Sequence, residues 1–515
     1  MMIKKYICIL LLVLLFGCKD QLYEDINQYL VVDKEQEKID LLSGIYSRLV
    51  RVHNYNYFRL LSRSDDVNFY TNYSFTVEGQ GSCSSTGGSS VDASVIGEVY
   101  VNLYTAIINA NYLLCELTST EDQYYLGEVY FLRAYCYFKL ARLFGRPPLV
   151  LDTDVNYLLP KPSYAEVYQL IESDLLEAID LLPETYSLAR VPMETPHVGT
   201  AKALLAEVYL AMAGYPVNDE SKYAGAASLA GEVMENAEYY GIEFIPDLAD
   251  LTTKSDQHCN EQLFTLFMKQ DENNYGSQIN NLHASYFHND GGISLSGSYK
   301  MEIKFFIDFP NNYRKRVFTT TGAYNYEQYS DLDTTFRIIR YQLMDPLVDP
   351  CTYVHNSFYL KWVVLDDFVE NDNSWYSSQS SFVSTSLLRY AQTMLTYAEA
   401  KARSGQLDQL AYEAVNKIRR RANQLDSNLP SQFDLTPGLS TEQFLDSVLW
   451  ERAWELCFEP EGRWFDIIRL NLKDKLKDYR YSFDFPSTVS KTLLTDDWYF
   501  YQIPQEDRWL NPNFE

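Results

Sequence analysis

The stretch SYAEVYQLIESDLLEAIDLLP (Ser163 to Pro183) decides how the rest of the chain is read. Val167, Leu170, Ile171, Leu175 and Ile179 recur near helical spacing, so one face of a helix is apolar. Ser163 followed three residues later by Glu166 makes a capping box, and Pro183 closes the run. Beyond Pro192 and Pro196 comes TAKALLAEVYLAMAG (Thr200 to Gly214), a second helix stopped by its glycine. Two helices joined by so short a connection pack antiparallel.

The same cadence recurs. Val91 to Leu117 precedes Gln123 to Phe144, and SLLRYAQTMLTYAEAKARSG (Ser386 to Gly405), predicted as a helix, precedes QLDQLAYEAVNKIRRRA. Ala201, Ala203 and Ala206, like Ala398, Ala400 and Ala402, permit close helix approach. The pattern predicts a mainly α protein, a tetratricopeptide-like helix-turn-helix superhelical scaffold. In GEVYFLRAYCYFKLARLFGR (Gly127 to Arg146), Val129, Leu132, Cys136, Leu140 and Leu143 line one face while Phe131, Tyr135 and Phe138 line another. Such a helix is covered on two sides, and Gly145 caps its end.

Between about Tyr240 and Ser386 the cadence gives way to Asn, Ser, Gly and Asp with scattered aromatics and short β-like runs such as YLKWVVL. TVEGQGSCSSTGGSS (Thr76 to Ser90) is a further Gly/Ser-rich loop. The predicted organisation is a leader over 1–17, a helical portion over 18–240, a loop-rich, partly β or irregular insertion over 241–386, and a second helical portion with an irregular end over 387–515.

The formal net charge is -27, from 43 Lys and Arg against 70 Asp and Glu, and no long basic block interrupts it. Nucleic acid is excluded as a partner, because phosphate neutralisation needs clustered Lys and Arg. Attachment to anionic lipid by charge alone is disfavoured for the same reason. A membrane location therefore needs a covalent anchor, and MMIKKYICILLLVLLFGCKD supplies one. Lys4 and Lys5 precede an apolar run from Tyr6 to Phe16 that is too short to span a bilayer. Leu15-Phe16-Gly17-Cys18 resembles a bacterial lipobox, with Phe16 where a small residue is usual, which implies Cys18 as the acylated residue; an ordinary signal peptide cut nearby is the alternative. Two or three acyl chains, at roughly 0.8 kcal/mol per buried CH2, hold a protein stably.

Of the remaining cysteines, none forms a CxxC or a Cys/His cluster with zinc spacing. Cys115, Cys136 and Cys457 lie in apolar helical stretches and are expected as inert core thiols.

Taken together, GEVYFLRAYCYFKLARLFGRPPLV, GTAKALLAEVYLAMAG, LLRYAQTMLTYAEAKARSG with AVNKIRRRA, ERAWELCFEPEGRWFDIIRL and YQIPQEDRWLNPNF resemble, in order, the signatures of the SusD/RagB family of surface nutrient-binding lipoproteins of Bacteroidota. SRSDDVNF (Ser62 to Phe69) is similar to the family's short acidic segment. Lys19, Asp20, Glu24 and Asp25, just after Cys18, resemble the signal that sends such lipoproteins to the outer leaflet. The resemblance implies four tetratricopeptide-like helix pairs supporting a looped ligand-binding region. It also implies an outer-membrane, cell-surface location and a partner, a SusC-like TonB-dependent transporter over which the lipoprotein acts as a lid. The ligand it implies is an oligosaccharide or, in one branch, a peptide.

ERAWELCFEPEGRWFDIIRL (Glu451 to Leu470) crowds Glu451, Glu455, Glu459 and Glu461 among tryptophans. A glycosidase holds two carboxyl groups about 5 to 9.5 Å apart on opposite sides of the scissile bond. Glu451 and Glu455, one turn apart on a helix, project the same way. Gly462 breaks the helix and lets RWFDIIRL fold back, so Arg452, Arg463 and Arg469 are expected to pair with these glutamates. Glu451, Arg452, Glu455, Arg463, Trp464 and Asp466 are accordingly read as a structural signature rather than a catalytic set.

Asp65-Asp66 is expected to be solvated or to cap the next segment. His283 and His288 miss the i, i+4 spacing of a helical zinc site. There is no GxSxG, no phosphate-cradling glycine loop with Lys and no dinucleotide fingerprint, so nothing asks for a metal or cofactor.

Sugar recognition uses aromatic faces with amides and carboxylates beside them. Asp66, Tyr70, Asn72, Tyr73 and Phe75 form one candidate cluster, Tyr324 and Tyr326 a second, and Trp375 with Tyr376 a third. The preferred reading is a non-enzymatic glycan-binding lipoprotein. A surface glycoside hydrolase or peptidase and a RagB-like or scaffold peptide binder remain the alternatives.

Overall fold

The structure is a computed structural model. It describes residues 34–53, 57, 60–61, 64–69, 90–119, 122–153, 156, 158–189, 195–252, 259–266, 285–287, 292–295, 299–321, 324–325, 357–359, 385–475 and 499–514. The chain divides into two compact units, Met1–Gly44 and Ile45–Glu515. Of the first unit, only the opening of helix α1 (Lys34–Val52) is described; the sheets and the remaining helices all belong to the second.

The second unit is mainly helical. Helices α2 (Ser90–Glu116), α3 (Gln123–Phe144), α4 (Tyr164–Leu181), α5 (Val198–Ala213) and α6 (Lys222–Glu235) pack each against the next. Further along, α9 (Tyr390–Arg403) joins the stack against α6 and is itself covered by α10 (Gln409–Ala422) and α11 (Thr441–Glu455). The caps act as the sequence dictates. Both bonds of the Ser163/Glu166 box are made, and Gly145, at φ +75°, donates its N–H to Ala141 O at the end of α3. In α3 every residue from Gly127 to Phe144 except Tyr130 is buried, so the helix is sheathed on both apolar faces.

Tertiary pairing overrides local propensity at Ser386–Arg389. Instead of opening the helix, these residues belong to strand β9 (Thr385–Arg389), which pairs antiparallel with β2 (Gln262–Leu266) in a register that sets Gln262 opposite Arg389. All ten residues of this ribbon are buried, so the gain comes from two-sided cover. The described residues contain three more small antiparallel sheets, drawn mainly from the loop-rich region. Strand β1 (Val67–Phe69) pairs with β5 (Tyr299–Met301), β4 (Gly292–Leu295) lies between β3 (Ser285–Phe287) and β7 (Tyr324–Asn325), and β6 (Thr319–Thr321) pairs with β8 (Ser357–Tyr359). Two short helices, α7 (Ile303–Asp308) and α8 (Tyr313–Phe318), connect β5 to β6. Helix α12 (Arg463–Arg469) comes after α11 across a tight turn.

Two glycines are demanded by close approach. A Cβ at Gly214 would lie 2.3 Å from Arg469 O, and one at Gly462 would lie 2.2 Å from Leu456 O. The first lets the end of α5 touch α12, where Tyr215 N–H donates to Arg469 O at 2.9 Å. The second folds the α11–α12 turn back on itself. Among the described residues no helix is long and apolar enough to cross a membrane.

Candidate functional site: a buried charge network around Glu451–Arg463

Helix α11 starts from a capping box of Ser440 with Gln443 and delivers Glu451 and Glu455 into the interior at 1% and 0% exposure. Neither carboxylate is left for chemistry. Arg314 of α8 reaches Glu451 Oε1 at 2.6 Å and Glu455 Oε2 at 3.1 Å, and Arg419 adds a contact to Glu451 Oε2 at 3.3 Å. Arg389, at the end of β9, forks onto Glu459 at 2.7 and 3.1 Å while its Nη1 donates to Glu261 at 2.9 Å and to Glu455 at 3.3 Å. Arg421 of α10 bridges Glu261 and Glu455, reaching the latter at 2.9 Å.

The network continues on both sides. Glu461 accepts from Arg142, Lys139 and the Tyr135 hydroxyl. The Arg142 guanidinium lies over Phe138 and Phe465, 3.7 and 4.0 Å from the ring centroids. Arg452 binds Thr396 at 2.8 Å, Asp466 at 3.2 Å and Glu207 at 3.3 Å. Arg469 forks onto Glu399 with two bonds of 2.7 Å and also holds Asp466. Burial works against the charged forms of Glu399, Glu461 and Asp466, but the neighbouring cations outweigh it, and all three carboxyls are held below their usual range. Burial also pushes Lys139 down to about 7.

A general acid needs a carboxyl that keeps its proton near neutral pH and faces a substrate. Glu451 and Glu455 are sealed from solvent and saturated by guanidinium groups, so they form a structural network. Buried pairs of this kind add little net stability over an apolar core, but losing one partner is costly, by about 3–5 kcal/mol.

The partners differ from the sequence expectation. Arg452, Arg463 and Arg469 do not serve Glu451 and Glu455; Arg314, Arg389, Arg419 and Arg421 do. The turn at Gly462 carries Arg463 to Asp65 and Arg469 to Glu399 and Asp466, while Arg452, on α11 itself, reaches Glu207, Thr396 and Asp466. The Arg389 signal lay in the sequence as a lone cation bounded by apolar residues, Leu388 and Tyr390.

Asp65 and Asp66 are also corrected. They are neither solvated nor caps, being 3% and 2% exposed. Asp65 accepts two bonds of 2.7 Å from Arg463, one to each oxygen. Asp66 Oδ2 accepts from Phe458 N–H at 3.0 Å, Oδ1 accepts from Ser64, and its carbonyl accepts from Glu302 N–H at 3.0 Å. Burial pushes the Asp66 carboxyl up to about 6. A side chain so enclosed does not face a ligand, which removes Asp66 from the candidate contacts. Cys136 and Cys457 are buried thiols, but Cys115 is exposed, because it falls on the outer face of α2.

Of the other candidates, Tyr324 lies in β7, where its backbone pairs with Ile293. Tyr70, Asn72, Tyr73, Phe75, Tyr326, Trp375, Tyr376, His283, His288 and Cys18 lie outside the described residues. Among the described residues no group of three or more His, Cys, Asp or Glu is arranged to hold a metal ion.

A stack of helix pairs bearing small sheets on a buried ionic network defines a helical-repeat scaffold. The chain belongs to the SusD family, a carbohydrate-binding family. A family model described as "SusD family" matches residues 254–515, and one described as "Starch-binding associating with outer membrane" matches residues 21–210. The SusD-like protein P2 of Formosa agariphila is 27% identical over 365 residues, covering 68% of this chain and 66% of that one. A crystallised SusD homolog from Bacteroides thetaiotaomicron superposes with a TM-score of 0.76 at 24% identity, over 96% of this chain and 99% of the other. A solved structure described as a laminarin-binding SusD-like protein gives 0.66 at 19% identity, over 92% of this chain and 97% of the other.

Proposed function

We propose that this protein is a non-catalytic, lipid-anchored surface protein that captures oligosaccharides and delivers them to a SusC-like TonB-dependent transporter of the outer membrane. The observation that carries the reading is the pair of family matches spanning both halves of the chain, one of them described as starch-binding and outer-membrane-associated. The likeness to a laminarin-binding protein supports a glucan ligand. The saturation of Glu451, Glu455, Glu459 and Glu461 by cations supports capture without cleavage. In this reading residues 1–17 are removed, Cys18 is acylated, and Tyr70, Asn72, Tyr73, Phe75, Tyr324, Tyr326, Trp375 and Tyr376 supply the stacking faces and amides that meet sugar. Contacts of this kind give modest affinity, which suits handover.

The test is electrophoresis of the purified protein through native gels containing starch, laminarin, xyloglucan or a host glycan, with reducing ends assayed on the same ligands. Retardation without release of reducing ends is the expected outcome. Release by a hydrolase-free preparation overturns the non-catalytic reading, and retardation by peptides alone moves the ligand class.

A further inference from the structure

A cavity lies where α3, α4, α5, α11 and α12 meet, lined mostly by charged and aromatic side chains. Its volume, taken as the space open to the centre of a water molecule, is about 20 Å³. That is room for one water or one ion of similar radius and too little for a sugar. Arg142 of α3 and Tyr168 of α4 share its wall, at 7% and 3% exposure. Both pack on one ring: the Arg142 guanidinium lies 3.7 Å from the Phe138 centroid, and Tyr168 meets Phe138 edge-on at 6.2 Å. Arg142 uses Nη2 on Glu461 and Nε on Phe138 O at 3.4 Å, so its Nη1 has no hydrogen-bond partner among the described residues. The Tyr168 hydroxyl has none there either. Enclosed donors are costly when unmet, so the two call for an acceptor inside the cavity.

Charge decides between a water and an ion. Lys139 and Arg142 both pair with Glu461, which leaves this end of the cavity one cation in excess. The other charges cancel, because Arg452 and Arg469 are balanced by Glu207 and Asp466, and Glu399 behind them by Arg403. His53, Tyr57 and Tyr135, which sit around Lys139 and Glu461, carry no charge: burial pushes His53 down to about 3 and raises both phenols. A buried surplus of one positive charge favours an anion over a neutral molecule.

We propose that this cavity binds a single small monovalent anion of chloride's size, held by Arg142 Nη1 and the Tyr168 hydroxyl. The ion ties α3 to α4 and offsets the surplus charge of the Glu461 cluster. Glu207, Glu461 and Asp466 also line the cavity, but each is already bonded to a cation, so the open donors set the sign of the ligand. The half-buried Tyr215, Pro216 and Phe500 are the most exposed part of the lining and give the way in. This site lies beyond the glycan-binding reading and stands or falls without it.

The experiment follows thermal melting of the purified protein and of Tyr168→Phe as chloride replaces methanesulfonate, too bulky for the cavity, at constant ionic strength. It is run at about pH 6, below the value of about 7 to which burial pushes Lys139, so that the surplus charge is present. Tyr168→Phe removes only a hydroxyl without a protein partner, so it is expected to melt close to the parent in methanesulfonate alone. The expected result is a saturable rise in the parent's melting temperature with chloride, and a half-saturation point at least about tenfold higher in Tyr168→Phe. Crystals of the unaltered protein grown in bromide are expected to show an anomalous scattering peak beside Arg142 and Tyr168. No chloride-dependent rise would leave water alone in the cavity and overturns the proposal. The same chloride dependence in both proteins, or bromide found only elsewhere, overturns it as well.

Discussion

Asp65 and Arg463, 398 positions apart, form a two-pronged ion pair with both bonds at 2.7 Å. Both residues are almost wholly buried. Replacing Asp65 by Asn leaves a guanidinium without its counter-charge and is expected to cost about 3–5 kcal/mol. Combining Asp65→Asn with Arg463→Met removes the stranded charge and recovers part of that loss. Urea denaturation of the two single variants and the pair checks this, and additive losses would contradict it.

Asp66 gives a pH signature. Its folded value, about 6, lies above that of the unfolded chain, so its contribution to stability is fully present below about pH 4 and is lost as pH rises through 6. The shift corresponds to about 3 kcal/mol across that window. Asp66→Asn carries no such penalty, so its melting temperature relative to the unaltered protein is expected to climb between pH 4 and pH 7. Glu399, Glu461 and Asp466 act in the opposite sense, because their lowered values give stability that is lost as pH falls below about 4. A flat difference between Asp66→Asn and the parent across pH 4–7 would rule out the buried-acid account.

Glycine substitutions separate space from conformation. Gly462→Ala and Gly214→Ala drive a methyl group against backbone oxygens and are expected to lose about 1–3 kcal/mol or more. Gly97, inside α2 with nothing within 4 Å, is expected to gain up to about 1 kcal/mol on becoming Ala. Thermal melts of the three variants give the ordering directly.

Trp375→Ala tests the proposed stacking contact. A loss of about tenfold in affinity for the retarding polysaccharide, roughly 1.4 kcal/mol, with an unchanged melting temperature is the expected result. Unaltered affinity would move the contact elsewhere.

Cys18→Ser tests the proposed anchor. The variant is expected to leave the membrane fraction for the soluble fraction on cell fractionation, since acyl chains and not charge hold the protein in this reading.

How much of the structure is legible in the sequence depends on range. The limits of α3 and the capping box of α4 could be read because every signal involved lies within a few residues. The charge network could not, because Asp65 meets Arg463 and Arg389 meets Glu261 across hundreds or scores of residues, and a single sequence carries no mark of such pairings. Ser386–Arg389 is illegible for a related reason, since Leu-Leu-Arg suits a helix and only the pairing with β2 makes it a strand. The acidic character of SRSDDVNF was visible, but the burial of Asp65 and Asp66 depends on a cation almost 400 residues away. For the sugar-facing candidates, residue type alone spoke, and with 43 tyrosines in the chain type is a weak discriminator.

The long reach of these pairs also sets an order of events during synthesis. Asp65, Asp66, Lys139 and Arg142 emerge from the ribosome early, yet their counter-groups at Phe458, Glu461 and Arg463 lie in the last part of the 515-residue chain. Until those groups arrive, burying the early charges is unfavourable, so the N-terminal helices cannot settle into their final packing. Folding into the final packing is thereby deferred until nearly the whole polypeptide is available.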